Sequence, residues 1–446
     1  MSMENEKLEQ EALEESLEEQ LSENTLSGPA LGHLPAEEEN RNRDSYGALR
    51  FRNFRLLLGS VFLMMFGQQM LTVALGWELY NRTGSALVLG GVGLAQVIPL
   101  ILLFLPAGYA ADNVSRKYIL IVTQTLSLLA SLGLATLSFQ RGPLLWIYGC
   151  LFLLGAAQSF SFPSSSALVS QVIPEKSFEN AMTWRSSATQ LSAVLGPTTG
   201  GFLIGLFGGA SYVYIFSATG FLIVVTLLLF LQAGPQKASS ASSRKLSALI
   251  EGIRFLGRTQ VMLAAITLDL FAVLLGGAVT LLPIFAKDIL HVGPFGLGSL
   301  QAASSLGAVG MALTLAHQPV FKRAGPVLLL AVTGFGVATI IFGLSHWFWL
   351  SFLMLLVLGA LDNISVVIRA TLVLVRTPDE MRGRVSAVNS LFIGTSNQLG
   401  GFESGVTAQL LGPVGSVVLG GIGTILIVVL VAVLWPEIRH LRTLRE

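Results

Sequence analysis

From Leu56 onward, twelve apolar runs of bilayer-crossing length follow one another, and no other feature constrains the fold of this chain so tightly. They cover 56–78, 86–110, 117–139, 144–166, 181–206, 211–232, 261–285, 296–316, 326–345, 348–374, 386–408 and 414–435. About 20 apolar residues cross the hydrocarbon of a bilayer. Inside it each backbone N–H and C=O must be satisfied within its own segment, so the runs predict helices and not strands. Pro99, Pro106, Pro163, Pro197 and Pro283 fall within runs and predict kinks, while abundant glycine predicts helices that approach closely. Only 12% of residues are charged, against about 25% in soluble proteins. The expected class is an all-α membrane protein with twelve transmembrane helices.

Charge between the runs sets the topology, because Lys and Arg gather on the cytoplasmic side. Twenty basic residues fall on one side: Arg50, Arg52, Arg55, Arg116, Lys117, Lys176, Arg185, Lys237, Arg244, Lys245, Arg254, Arg258, Lys322, Arg323, Arg376, Arg382, Arg384, Arg439, Arg442 and Arg445. Only Arg82, Arg141 and Lys287 fall on the other. The asymmetry predicts that both termini are cytoplasmic.

Half of the 26 acids lie in residues 1–44. Residues 1–45 therefore predict an acidic, solvated cytoplasmic tail with too little apolar surface to bury anything alone, available to a partner. It lacks the basic start and apolar core of a signal peptide. No basic stripe suggests nucleic acid. Gly-Lys occurs nowhere, so a phosphate-cradling P-loop is missing and no nucleotide is expected. Uphill work must then draw on an ion gradient or a separate ATPase. Cys150 is the one cysteine and reads as a small apolar residue within its run. The five histidines show no metal-ligand spacing and no nucleophile–base arrangement stands out, so no metal, cofactor or enzymatic activity is expected.

The runs fall into two sets of six, 46–232 and 261–436, separated by 233–260 and followed by a short tail, 437–446. The separator begins as a flexible Gly/Pro/Ser linker. Leu246, Leu249, Ile250, Ile253 and Phe255, with basic neighbours, then predict a short amphipathic helix on the membrane surface. A shift of about 206 residues lays Arg116-Lys117 near Lys322-Arg323 and Pro174-Glu175 near Pro378-Asp379-Glu380. Parallel six-helix repeats about an axis normal to the membrane place a substrate site at the repeat interface, near the midplane.

Gly108-x-x-x-Asp112-x-x-x-Arg116-Lys117 resembles the loop signature between the second and third helices of the major facilitator superfamily. Leu281-Leu282-Pro283, Lys287-Asp288, Gly359-x-x-Asp362-Asn363, Arg382-Gly383-Arg384 and Ser396-Asn397-Gln398-Leu399-Gly400 are similar to the branch that includes the enterobactin exporter and related bacterial drug exporters. Asn113 and Ser115 depart from the loop signature. Gly196-Pro197-Thr-Thr-Gly200 resembles the end of an antiporter signature, with Ser192 in place of its upstream glycine. The resemblance spans residues 46–440. It implies a major facilitator fold in the inner membrane of a bacterium and a secondary transporter working by alternating access. It further implies proton-driven export of a small amphipathic molecule, a siderophore or drug-like compound. An uptake or lysophospholipid carrier on the same scaffold is the alternative, and a non-transporting receptor or scaffold a more distant one.

Ionisable side chains within the runs are functional candidates by default, since each costs about 2.5–3.5 kcal/mol to insert. Asp269, Asp362, Arg369 and Glu403 are these candidates for proton coupling. Asp362 and Arg369 share a helix face about 10 Å apart, too far for a direct pair without a shared partner. Gly108, Asp112, Arg116, Lys117, Glu175, Arg382 and Arg384 form a candidate cytoplasmic gate. The resemblance implies that Asp112 meets the start of the eleventh helix, while Arg116 would pair with Glu175 or Glu179, and Arg382 or Arg384 with Asp379 or Glu380. Gln68, Gln158 and Gln190 are candidate cargo contacts, since uncharged donors and acceptors among apolar groups suit an amphipathic cargo.

Overall fold

A computed structural model describes residues 46–234, 245–317 and 323–441. The expectations for the acidic tail 1–45, the first part of the linker, Lys322 and the last residues 442–446 lie outside the described residues. By contacts the chain divides into two units, 1–47 and 48–446, and the second is the helical body.

Each apolar run becomes a helix, and most outrun the apolar stretch that announces them. In order they are α1 (Arg52–Thr83), α2 (Ala86–Asn113), α3 (Arg116–Phe139), α4 (Leu144–Val172), α5 (Phe178–Phe207) and α6 (Ser211–Phe230). A surface helix, α7 (Lys245–Arg258), falls where the amphipathic segment was expected. Then come α8 (Gln260–Leu275), α9 (Gly293–Ala316), α10 (Ala324–Leu344) and α11 (Phe348–Arg376). The helical stretch Arg382–Leu434 is two spans turned at Gly412, giving α12 (382–411) and α13 (413–434). Gly412 has φ 79° and ψ 160°, a conformation open only to glycine, and Pro413 follows to start the next helix without an N–H.

The six spans of the first half pack as α1 with α5 and α6, α2 with α4, and α3 with α4 and α6. The second half repeats the scheme, α9 with α11, α10 with α11 and α13, and α8 with α12. Large apolar side chains such as Leu102, Leu145, Leu330 and Leu410 remain exposed, as the lipid-facing belt of a spanning bundle requires. Cys150 is half-buried, its Sγ seated against Gly133 of α3.

Two crossings join the halves, α2 with α12 and α5 with α9. Both depend on missing side chains. A Cβ at Gly93 would lie 2.2 Å from the Gln398 carbonyl oxygen, and one at Gly405 would lie 2.6 Å from Cα of Gly90. At the second crossing a Cβ at Gly298 would lie 2.4 Å from the Pro197 carbonyl and one at Gly201 would lie 2.4 Å from that of Pro294. With no hydrophobic force to drive helices together in lipid, such backbone contact is what holds the halves. Further along α2, a Cβ at Gly108 would meet nothing within 4 Å, and the same holds at Gly310 of α9. The closest backbone contacts between the halves therefore lie from mid-depth to the end with few basic residues.

Replacing Gly93 or Gly298 by alanine should lower the midpoint of thermal unfolding in detergent, since overpacking costs about 1–3 kcal/mol. Gly108→Ala should leave it within error. Melting followed by tryptophan fluorescence distinguishes the sites.

Candidate transport route and gates

Irregular backbone builds the closed end. After Leu275 the α8 direction continues through a 3-10 turn (Ala278–Leu281), Leu282–Ile284 and a π turn (Phe285–Ile289). Gly276, Gly277 and Pro283 break the regular hydrogen-bond ladder, and such a break at membrane depth is tolerated because protein surrounds it. A Cβ on Gly277 would lie 2.2 Å from the Ser404 hydroxyl, so α12 presses on this segment.

The π turn delivers Lys287 and Asp288 to the end of α1. The Tyr80 hydroxyl donates to the Asp288 carboxylate, and Lys287 Nζ donates to Asn81 Oδ1 at 2.7 Å. The same ammonium stands 5.6 Å from the Tyr80 ring centroid, a cation–π distance. Ser85 adds a hydroxyl to Gln409 at 3.2 Å, and deeper in, Gln398 Nε2 donates to Gln96 Oε1 at 3.0 Å. All four hydrogen bonds cross between the halves. The sequence reading placed a gate at the other face and missed this latch. Its signal lay in Lys287, one of only three bases on its side, beside an acid.

Glu78, also missed, is buried in the last turns of α1 and pairs with Arg82 at 2.6 Å. Arg82 donates to the carbonyls of Leu137, Ser138 and Gly142, holding the end of α3. The four-residue spacing of Glu78 and Arg82 was its signal in the sequence.

In the second half Asp269 of α8 and Arg369 of α11 form a buried ion pair, with 6% and 4% exposure. Arg369 thus finds its acid on a neighbouring helix and not at Asp362. Asp362 is half-buried in the middle of α11 and has no side-chain partner among the described residues. Glu403 is held by its own helix: Thr407 donates to Oε1 at 2.7 Å and Ser404 to Oε2 at 3.4 Å.

Gln68 and Gln158 come together in a pocket of the first half with Gln124, Ser161, Met64, Met65 and Phe162. Gln124 donates to the Ser161 hydroxyl at 3.3 Å, which donates to Thr123 at 2.7 Å, so these buried amides and hydroxyls are chained together. Gln190, half-buried on α5, does not line this pocket.

At the basic end the candidate gate residues are spread over several roles. Arg116 donates to the carbonyls of Ala111 and Ala167, and Lys117 to those of Leu229 and Leu231, capping the end of α6. Arg384 pairs with Glu251 of α7 at 2.5 Å, and Arg382 donates to the Leu374 carbonyl. Gly108 and Asp112 sit half-buried on the last turns of α2. The side chains of Glu175 and Asp379 lie outside the described residues.

Two pseudo-repeated bundles of six spanning helices, joined at two glycine crossings, define a membrane transporter. Residues 57–402 match the Major Facilitator Superfamily model, and the chain belongs to that family. The enterobactin exporter EntS of Escherichia coli is 27% identical over 339 residues, 75% of this chain and 80% of its own. The enterobactin exporter EntS of Citrobacter koseri is 26% identical over 405 residues, 87% of this chain and 93% of its own. Among solved structures, a POT family transporter in complex with 5-aminolevulinic acid superposes with a TM-score of 0.69 at 13% identity, covering 87% of this chain and 97% of its own. A bacterial homolog of the human lysosomal transporter Spinster gives 0.68 at 15%, with the same coverage. The chain is thus a multi-pass secondary transporter and not an enzyme.

Tyr80→Phe removes one hydrogen bond to a carboxylate, a loss of about 1.5–3 kcal/mol. It should shift the resting population toward the state open at this latched end, seen as faster amide hydrogen exchange in 76–84 and 282–292. Asp269→Asn leaves Arg369 buried without its acid and should destabilise by about 3–5 kcal/mol. The double variant Asp269→Leu with Arg369→Met should recover most of the melting temperature.

Proposed function

We propose that this transporter is a proton-driven exporter of a small amphipathic molecule, a siderophore or drug-like compound, in the inner membrane of a bacterium. Similarity to enterobactin exporters over most of the chain supports the direction. The positive-inside bias supports a cytoplasmic basic end and cytoplasmic termini. On that orientation the halves are closed outside and open to the cytoplasm, the state in which an exporter collects cargo.

One observation carries the coupling: Asp362 stands at mid-span on α11, two turns from Arg369, and among the described residues neither cation nor donor holds its charge. A carboxylate without a fixed partner can take a proton from one side and release it to the other. The Asp269–Arg369 pair lies on the cytoplasmic side of mid-span, two turns along the same helix face from Asp362, so a proton on Asp362 changes the field acting on that pair. Glu403, next to the α2 crossing, reports to the interface between halves. The cargo's apolar body lies against Met64, Met65 and Phe162, and its polar groups meet Gln68 and Gln158. Gln190 is a further contact on α5.

When the cytoplasmic mouth shuts, the ends of α2 and α12 close on each other. Asp112 then approaches the start of α12, where the helix dipole favours an acid by about 0.3–1 kcal/mol. Arg116, Lys117, Glu175, Arg382 and Arg384 surround that contact. The acidic tail is available to a partner.

Reconstitution in vesicles with an imposed pH gradient, screened with siderophores, dyes and lysolipids, tests the reading. Cargo efflux should follow the gradient, and Asp362→Asn should abolish gradient-driven accumulation while sparing exchange of cargo for cargo. Full coupling in Asp362→Asn, Asp269→Asn and Glu403→Gln alike would contradict it.

A further inference from the structure

Arg185 counts from sequence toward the basic side, and it lies seven residues inside α5, about 10 Å below the basic end. Arg369 lies equally far inside α11, seven residues before its last. The two arginines at this depth are treated differently. Arg369 has Asp269. Arg185 has only hydroxyls: its Nη2 donates to Ser166 Oγ at 2.9 Å and to Ser165 Oγ at 3.3 Å. Among the described residues no carboxylate pairs with it, and its Nε and Nη1 donate to nothing. The side chain is half-buried, so these donors are reachable.

A guanidinium at membrane depth is costly and is ordinarily compensated by an acid or by backbone carbonyls. Two neutral hydroxyls fix its orientation without cancelling its charge. Its flat fork of donors matches a planar acid in a two-point contact. The surroundings define the rest of such a ligand. Ser166, Phe162 and Gln158 are spaced four residues apart on α4, so they form one stripe along the helix. Phe162 is 56% exposed and, with Gln158, lines the glutamine pocket. The stripe runs about 12 Å from Gln158 to Ser166, from an uncharged amide through an open aromatic face to the arginine.

We propose that Arg185 anchors the acidic head of the cargo, a carboxylate or comparably planar anion, while an aromatic or apolar body lies along Phe162 toward Gln68 and Gln158. The preferred cargo is then an anionic amphiphile, extended over the stripe. This rests on the transport reading for its context, though binding alone tests it. It also gives the outward step a rationale: the arginine draws an acid from the cytoplasm, and closing of the mouth puts that acid in a site shared with the protonating carboxylates of the other half.

The test uses the full-length protein in detergent and a series of aryl-alkyl carboxylic acids of increasing length, each paired with its methyl ester. Affinity is read by quenching of tryptophan fluorescence, with Trp184 adjacent to the site. Wild type should bind the best acid at least about tenfold more tightly than its ester, equal to about 1.4 kcal/mol. Arg185→Gln should erase that preference by weakening the acid and sparing the ester, whose retained binding shows that the variant is folded. Arg185→Lys should keep part of it. An unchanged acid-to-ester ratio in Arg185→Gln, no preference in wild type, or no binding of any acid overturns the proposal. Counterflow of the same acids in vesicles separates the two readings. Arg185-dependent acid binding without transport would leave the anchor standing and remove the exporter, whereas transport of esters unaffected by Arg185→Gln would do the reverse.

Discussion

Backbone-to-backbone contact at two glycine crossings is the constraint on which the rest depends. In lipid an apolar side chain gains little by leaving hydrocarbon for a neighbouring helix, so close packing must supply the attraction. At Gly90, Gly93 and Gly405 on one side, and Gly201 and Gly298 on the other, the chain removes side chains where the halves touch. The closest contacts of each crossing lie from mid-depth toward the end with few basic residues. A contact confined to part of the helix length acts as a pivot. The twelve helices are therefore two rigid sets that can tilt, and any group bridging them at one end must be broken for the other end to close.

Charge is distributed around that pivot by function. Lys287, Asp288, Tyr80 and Asn81 join the halves at one end through exposed or half-buried polar contacts that water can replace. Such contacts suit a latch, because their loss is recoverable. Asp269 and Arg369, by contrast, sit within one half and are nearly inaccessible, so separating them without a substitute would be expensive. Asp362 lies two turns from Arg369 on the same helix, and in the opposite half Arg185 has no carboxylate partner among the described residues.

The architecture was readable in the apolar runs because helix length and backbone satisfaction leave a membrane segment few choices. The repeat was readable because charged turns recur after corresponding helices. Boundaries were less so: Arg52, Thr83 and Arg376 are helical, since polar and charged side chains at helix ends reach the interface without leaving the helix. The pairing of Arg369 with Asp269 could not be read, being 100 residues apart on helices whose rotation the pattern does not fix. Arg185 falls inside the fifth apolar run, and the sequence shows its side of the membrane but not the hydroxyls that hold it, which come from a neighbouring helix. The latch depends on a π turn, and a few polar residues in an apolar segment do not reveal that their backbone leaves the regular helix. Of the three amides singled out at membrane depth, Gln68 and Gln158 line one pocket together with Gln124, while Gln190 lies elsewhere on α5, because counting amides does not fix the helix face each one occupies.

The central claim is that the two halves tilt as units about the crossings. Paired spin labels should report it, one pair joining the basic ends of α2 and α12 and another joining the ends of α1 and the π turn after α8. Distances in vesicles at high and low pH, with and without cargo, should be anticorrelated, the first shortening as the second lengthens. Two distances that rise and fall together, or one that moves while the other stays fixed, would contradict the account.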